Sequence, residues 1–237
     1  MKKVLILAVA LSLIIVGASV ASVVSSKHDF RDASLFGSGV GAKAVGATTS
    51  QVCVFCHHPH RGAATGVSTV LLWNISAAAG SYATYSSPTT NATGIGSTLS
   101  SASDSSAMYS LLCMGCHDGA GSSNSFIRTT VDGVLGTVPV PAGNANLGTT
   151  LTDDHPVNFQ YPTATAAGLE DINVTITNGK VDGTYPLFND GAGNPTMQCA
   201  TCHDVHNGGS ARVQFMRGGT ADVITNSKIC RDCHTAK

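Results

Sequence analysis

The spacing of eight cysteines constrains this 237-residue chain more than any other feature. They fall as Cys53/Cys56, Cys113/Cys116, Cys199/Cys202 and Cys230/Cys233. Every pair is C-x-x-C, and every pair is followed at once by a histidine: His57, His117, His203 and His234. Disulfides would need only an even number of thiols, and a zinc ribbon only the paired thiols. Neither chemistry asks for a histidine after every second cysteine. C-x-x-C-H is the attachment sequence of c-type haem: the two thiols add across the vinyl groups, and the next residue supplies an axial imidazole to the iron. Four covalently attached c-type haems are therefore expected, numbered haem 1 to haem 4 in chain order. No cysteine is left for a disulfide, so the haems themselves would crosslink the chain.

A haem iron has two axial positions. Of the nine histidines, five lie outside the motifs: His28, His58, His60, His155 and His206. Four of these would make every haem bis-histidine, with one to spare. His60 follows His57 by only three residues, too short a tether to reach round the macrocycle of haem 1. It is expected to serve the iron of another haem. C-A-T-C-H-D-V-H repeats that arrangement, with His203 proximal and His206 for a neighbour. Pro59 fixes its own φ and restricts His58, which would aim His60 away from haem 1. His155, in T-D-D-H-P-V-N-F, and His28, in S-S-K-H-D-F, complete the expected distal set of His28, His60, His155 and His206. His58 is the spare, able to hydrogen-bond a propionate or to stand in for His60. Met108, Met197 and Met216 are alternative axial ligands in principle, with side-chain packing as their default role. Met114 lies inside a motif and is badly placed for ligation.

Composition points the same way. Charged residues make up 11% of the chain, the net charge is −1 and aromatics are 5%. There is no basic stripe for nucleic acid. Gly, Ser, Thr and Ala dominate long stretches such as 76–107 and 117–150, and much of the chain shows neither helical nor strand periodicity. Such a chain has few large side chains to drive collapse, and it folds around something else or stays loose. Residues 1–21 read as a cleaved secretory signal peptide: Lys2 and Lys3, an apolar run from Val4 to Val16 broken by Ser12, then small residues with cleavage near Ala18 or Ala21. That run is short of the roughly 20 residues of a membrane span. The mature chain, 22–237, is expected to be a single tetrahaem domain, exported, with no membrane span.

The expected fold is a multihaem cytochrome c, mostly loop, with a core of four stacked haems. Short helices are expected at the C-x-x-C-H motifs, the last with Ser227 as a side-chain cap. A few short strands are expected, with D-I-N-V-T-I-T (171–177) and V-L-G-T-V-P-V (134–140) as candidates. Asp153, Asp154, Asp222 and Asp232 read as surface charge, although each could hold a cation beside a propionate. Asn74, Asn91 and Asn173 stand in N-x-[ST] triplets, frequent by chance in so Ser/Thr-rich a chain, and no glycosylation is inferred.

At S-K-H-D-F, V-C-V-F-C-H-x-P-H, L-L-W-N, L-L-C-M-G-C-H-D-G, D-D-H-P-V, C-A-T-C-H-D-V-H-N and I-C-R-D-C-H, the chain resembles the multihaem c-type cytochromes of metal-reducing bacteria. Within them it resembles the OmcE-type tetrahaem proteins that polymerise into extracellular nanowires. These stretches run from residue 26 to the C-terminus. His58 departs from the small polar residue expected at its position. The resemblance implies a continuous stack of bis-histidine haems and a head-to-tail homopolymer. It also implies one axial histidine given by the adjacent subunit, with His28 the candidate and the haem at Cys230/Cys233 its recipient.

Three functions compete. One is electron transfer along a haem chain in an extracellular filament, towards partner proteins or extracellular electron acceptors. Another is a monomeric periplasmic electron shuttle. The third is a haem reductase, which needs an open iron and nearby acid/base groups. Full axial ligation argues against an enzyme, and no catalytic residue is assigned.

Overall fold

The computed structural model describes residues 23–24, 26–31, 48–58, 73–75, 80–88, 92, 94–100, 108–119, 126, 135–136, 138, 141, 143–162, 179–190, 192–206, 215–218 and 226–234. Within these, helix is confined to short pieces, and the main ones carry the motifs. A 3-10 turn spans Cys53–Phe55. Helix α1 is Met108–His117, α2 is Cys199–Cys202 and α3 is Lys228–Arg231. The local reason is common to all. In one helical turn, residues i, i+3 and i+4 share a face, so both thiols and the following imidazole point the same way. The backbone shows that turn directly: the N–H of His57, His203 and His234 donates to the carbonyl of Cys53, Cys199 and Cys230 at 2.8, 3.0 and 2.8 Å. In α1 the motif occupies the last five residues of a longer helix. That helix stops at Gly119, whose φ of +75° suits the left-handed conformation found after many helix ends.

The strands are short. β1 (Ser81–Thr84) is flanked by β2 (Leu99–Ser100), antiparallel, and β3 (Thr150–Leu151), parallel. A second sheet runs in the order β4 (Phe159–Gln160), β8 (Pro195–Met197), β7 (Phe188–Asn189), all antiparallel. β5 (Lys180–Val181) and β6 (Tyr185–Pro186) make a hairpin. The strand expected at 134–140 is not found in its described part: Leu135, Gly136 and Val138 lie outside any strand. Leu135 and Val138 are buried instead. The strand expected at 171–177 lies outside the described residues, as does the leader at 1–21.

Among the described residues there are three small apolar clusters, each the back of a motif. Phe30, Val54, Phe55 and Leu135 pack behind the first, with Cys56 and Phe126 against them. Tyr82, Leu99, Leu111, Met114 and Leu151 pack behind α1. Phe159, Tyr161, Val181, Tyr185 and Met197 form the third, which Ile229 and Cys233 join from the fourth motif. Among the described residues no helix is long and apolar enough to cross a membrane.

Candidate metal centres

Each motif turn presents a histidine, and three of these meet a histidine from elsewhere in the chain. The rings of His57 and His206 lie 5.9 Å apart between centroids, with their planes 20° from parallel. Those of His117 and His28 lie 6.2 Å apart at 89°. Those of His234 and His155 lie 6.4 Å apart at 67°. Two imidazoles on opposite faces of one metal, with nitrogen–metal distances of about 2 Å, place their ring centroids roughly 6 Å apart. Ordinary ring packing also falls at about 4.5–7 Å. The partners carry the distinction: every pair joins a histidine inside a motif to one of those expected as a distal ligand. His60 lies outside the described residues. His203, in the third motif, has its backbone bridged to Met216.

The tautomers favour ligation. His117 donates Nδ1–H to the Ala145 carbonyl at 2.7 Å, and His155 to that of Pro156 at 3.0 Å. In each case Nε2 is left for a metal, and the hydrogen bond fixes the ring and raises its basicity. Desolvation lowers the pKa of His117, partly offset by the Ala145 carbonyl. His57 packs edge-on to Trp73 at 5.8 Å and 81°. Asn74 holds this corner, donating from its backbone N to Cys56 O at 2.9 Å and from Nδ2 to Val54 O at 2.6 Å. Asn74 is fully buried, so a glycan there is incompatible with this packing.

His28 is placed differently. Its segment turns over Ser26, whose carbonyl accepts from Asp29 N at 3.0 Å and whose Oγ accepts from His28 N at 3.1 Å. Asp29 is buried and receives a two-pronged contact from Arg31, Nε and Nη2 each at 2.8 Å. Nη1 of Arg31 reaches the Ser50 carbonyl at 2.8 Å, tying the segment to the approach to the first motif. The ring stacks on Phe215 at 4.5 Å and meets Phe30 edge-on at 5.7 Å. His28 Nδ1 is shut off from solvent with no hydrogen-bond partner. Desolvation, then the charges of His117, His203 and His206, push its pKa down to about 4. It is a neutral imidazole at ordinary pH, the form that binds metal. The resemblance made His28 the candidate ligand for the haem of an adjacent subunit. Here the ring lies against His117 of its own chain, because the Asp29–Arg31 fork and the Phe30 contact hold the segment against the first motif. It is His155 that faces His234.

The thiols suit covalent attachment. All eight cysteines are free of disulfides, with Cys53 and Cys230 exposed. Desolvation pushes Cys56, Cys116 and Cys202 each up to about 12. A thioether has no proton to lose, so attachment removes any need to charge these sulfurs. The neighbouring Cys199 thiol, from a different motif, holds Cys113 well above the usual thiol range, and Cys113 in turn lowers Cys199. The motif turns and the paired imidazoles fit haem, which the cysteine pairs and these histidines would hold. Among the described residues no three His, Cys, Asp or Glu side chains converge as a metal site of their own.

Other expectations resolve as packing. Met114 and Met197 are buried in the second and third clusters. Asp232 accepts from the Tyr185 hydroxyl at 2.8 Å and pairs with Lys228 at 2.6 Å, so it is committed within the chain. Ser227 precedes α3 as expected, but with φ at +52° and no side-chain cap; its carbonyl accepts from Cys230 N and Arg231 N instead. His58 is half-buried beside His57.

Four features have no counterpart in the sequence reading. Tyr82 donates to Asp118 Oδ2 at 2.9 Å, as Tyr185 does to Asp232, so a buried phenol braces both the second and fourth motifs. Ser110 links α1 to α2, donating to Gln198 Oε1 at 2.6 Å and accepting from Cys199 N at 3.1 Å. Phe215 stacks on His28. Only the aspartates had a visible signal, since Asp118 follows a motif histidine and Asp232 lies inside a motif. No protein-family model matches this chain, and no curated protein matches it.

Proposed function

We propose that this chain is a tetrahaem c-type cytochrome that transfers electrons along four bis-histidine haems. The observation that carries the proposal is the set of three imidazole pairs, each joining a C-x-x-C-H histidine to a distant one at 5.9 to 6.4 Å. Haem held there by the paired histidines would supply a one-electron Fe(III)/Fe(II) carrier. The residues then divide the work. Cysteine pairs fix each group covalently. His206 would serve haem 1, His28 haem 2 and His155 haem 4. His60 is left for haem 3, so the two C-x-x-C-H-x-x-H stretches exchange distal ligands. That exchange would hold haems 1 and 3 to one another through two short tethers. Tethers this short would keep the ligand sets close, and histidines on both sides of each iron would leave none open to substrate.

Export and extracellular assembly into a head-to-tail filament rest on the leader-like N-terminus, the resemblance and the low surface charge. A monomeric shuttle is the second reading, and one observation favours it: His28 reaches a motif histidine of its own chain, so ligation does not call for a neighbour. Haem quantitation should give four haems per chain, all low-spin, with no carbon monoxide shift in the reduced spectrum. High-spin haem in the intact protein would return the reductase reading. In a dilute monomeric sample, His206→Ala should open haem 1 alone, so that carbon monoxide binds one haem in four. His28→Ala should do the same at haem 2; a wild-type monomer that already has one open haem, with none added by His28→Ala, would mean that His28 belongs to a neighbour. Electron cryomicroscopy of the native material separates filament from shuttle.

A further inference from the structure

Metal-bound histidines are ordinarily oriented by a hydrogen bond from the nitrogen that does not touch the metal. His117 and His155 have one. His28 does not: its Nδ1 is enclosed and unpartnered. Something else must fix its plane. We propose that Phe215 is the positioning residue for His28, using ring stacking in place of a hydrogen bond to set the distal imidazole of haem 2 across that of His117. The inference rests on the bis-histidine reading above.

The stack is close, 4.5 Å between centroids and 17° from parallel, and Phe30 closes the edge at 5.7 Å. Phe215 belongs to none of the three apolar clusters. Its backbone sits at φ +58°, a conformation that a bulky side chain rarely adopts and that persists only where the surroundings impose it. The surroundings here are the third motif. Phe215 O accepts from Asp204 N at 2.8 Å, Met216 bridges to His203, and Arg217 N donates to Cys202 O at 2.8 Å. The Arg217 guanidinium adds the Ala200 carbonyl at 2.9 Å and Asp204 at 3.0 Å. Residues 215–217 are thus stapled to the housing of haem 3, and the left-handed turn aims the Phe215 ring at the ligand of haem 2.

The result is a difference between haems. His28 and His117 cross at 89°, whereas His57 and His206 lie 20° apart. Parallel imidazoles donate into the same iron d orbital and split the pair; crossed imidazoles donate into both and leave them nearly degenerate. Ferric haem 2 should therefore give a large-gmax electron paramagnetic resonance signal, and haem 1 a rhombic one. An imidazole without a hydrogen-bond acceptor also donates less electron density, which raises the potential of haem 2.

The test is electron paramagnetic resonance of the ferric, haem-loaded protein. Wild type should show large-gmax intensity from haem 2, crossed at 89°, beside that of haem 4, crossed at 67°, and the haem 2 component is the signal the variants read. Phe215→Leu keeps apolar bulk but removes the ring face, and should convert that signal to a rhombic or broadened one while the optical spectrum stays low-spin. Phe215→Tyr keeps the ring face and should retain the signal. An unchanged large-gmax signal in the Leu variant, or its loss in the Tyr variant, overturns the role of Phe215. Wild type with four low-spin haems but no large-gmax signal overturns the crossed geometry. High-spin iron in wild type instead overturns the bis-histidine reading beneath it.

Discussion

Helix α1 meets α2 over a buried hydroxyl, whereas α3 lies on the surface with no buried residue of its own. Both places carry a C-x-x-C-H turn. At the α1–α2 junction Ser110 and Gln198 are fully buried. Gln198 is satisfied on every side: Ser110 Oγ donates to its Oε1, its Nε2 donates to Asn158 Oδ1 at 3.1 Å and Thr196 Oγ1 at 3.3 Å, and its N–H donates to Thr201 Oγ1 at 3.0 Å. At α3 the ties are the Tyr185–Asp232 hydrogen bond, a Lys228–Asp232 ion pair, and Ile229 and Cys233 leaning on the third cluster. Buried, fully paired polar groups specify one arrangement, because leaving any of them unpaired is costly. Exposed pairs specify much less. The difference teaches that the second and third motifs are set rigidly against each other, while the fourth is held by a looser edge. For an electron carrier, the middle step would vary little in distance and the step at the chain's end would vary more.

The largest break should come from Ser110→Ala. It leaves the Gln198 oxygen and the Cys199 N–H buried without partners, at a cost of about 2–3 kcal/mol. Denaturant unfolding of the haem-loaded protein measures it. Amide exchange should quicken at Cys199–Cys202 more than at Lys228–Arg231. Equal change in both helices, or a loss under about 0.5 kcal/mol, would mean the hydroxyl does not hold the junction. Gly119→Ala acts on the far end of the same helix. A Cβ there would meet Asn146 Oδ1 at 2.7 Å, on a backbone with φ of +75°. The expected loss is about 1–2 kcal/mol, since alanine is strained in that conformation.

Tyr185→Phe tests the other region. The phenol is buried, and its hydroxyl donates to a carboxylate that keeps Lys228. Removing it should cost about 1 kcal/mol, less than the Ser110 change because Asp232 retains its cation. Exchange should quicken at 228–233 and leave α1 unmoved. An effect spread evenly over both helices would erase the contrast between a rigid centre and a loose edge.

What the sequence made legible follows the same division. The four motif turns could be expected from the C-x-x-C-H spacing, and His28, His155 and His206, singled out as the histidines beyond the motifs, do lie beside motif histidines. Which histidine meets which motif could not be read, since that depends on Arg31, Asp29 and Ser50 acting across the chain. Most of the strands are two-residue ladders, too short to leave a period-2 signal. The apolar run around Leu135 and Val138 looked like a strand because it is apolar, yet these side chains are simply buried. Ser110 and Phe215 carry no local signature at all: a serine early in a helix and a phenylalanine in R-V-Q-F-M-R acquire their roles only from what packs against them.

Lys228→Ala should have the smallest effect, and its smallness completes the comparison. Lys228 Nζ lies 2.6 Å from both oxygens of Asp232 and 3.8 Å from Asp182, geometry that looks strong on distance alone. Its side chain is 47% exposed, so water and salt screen the attraction, and ordering a long side chain offsets part of it. An i,i+4 pair of this kind contributes about 0.3–0.5 kcal/mol, and that should vanish in high salt. Stability at low and at high salt, compared between wild type and the variant, measures it. A loss above about 1 kcal/mol that survives high salt would exceed what an exposed pair supplies. The C-terminal edge would then be as firmly built as the centre, and the haem 4 step as fixed as the step between haems 2 and 3.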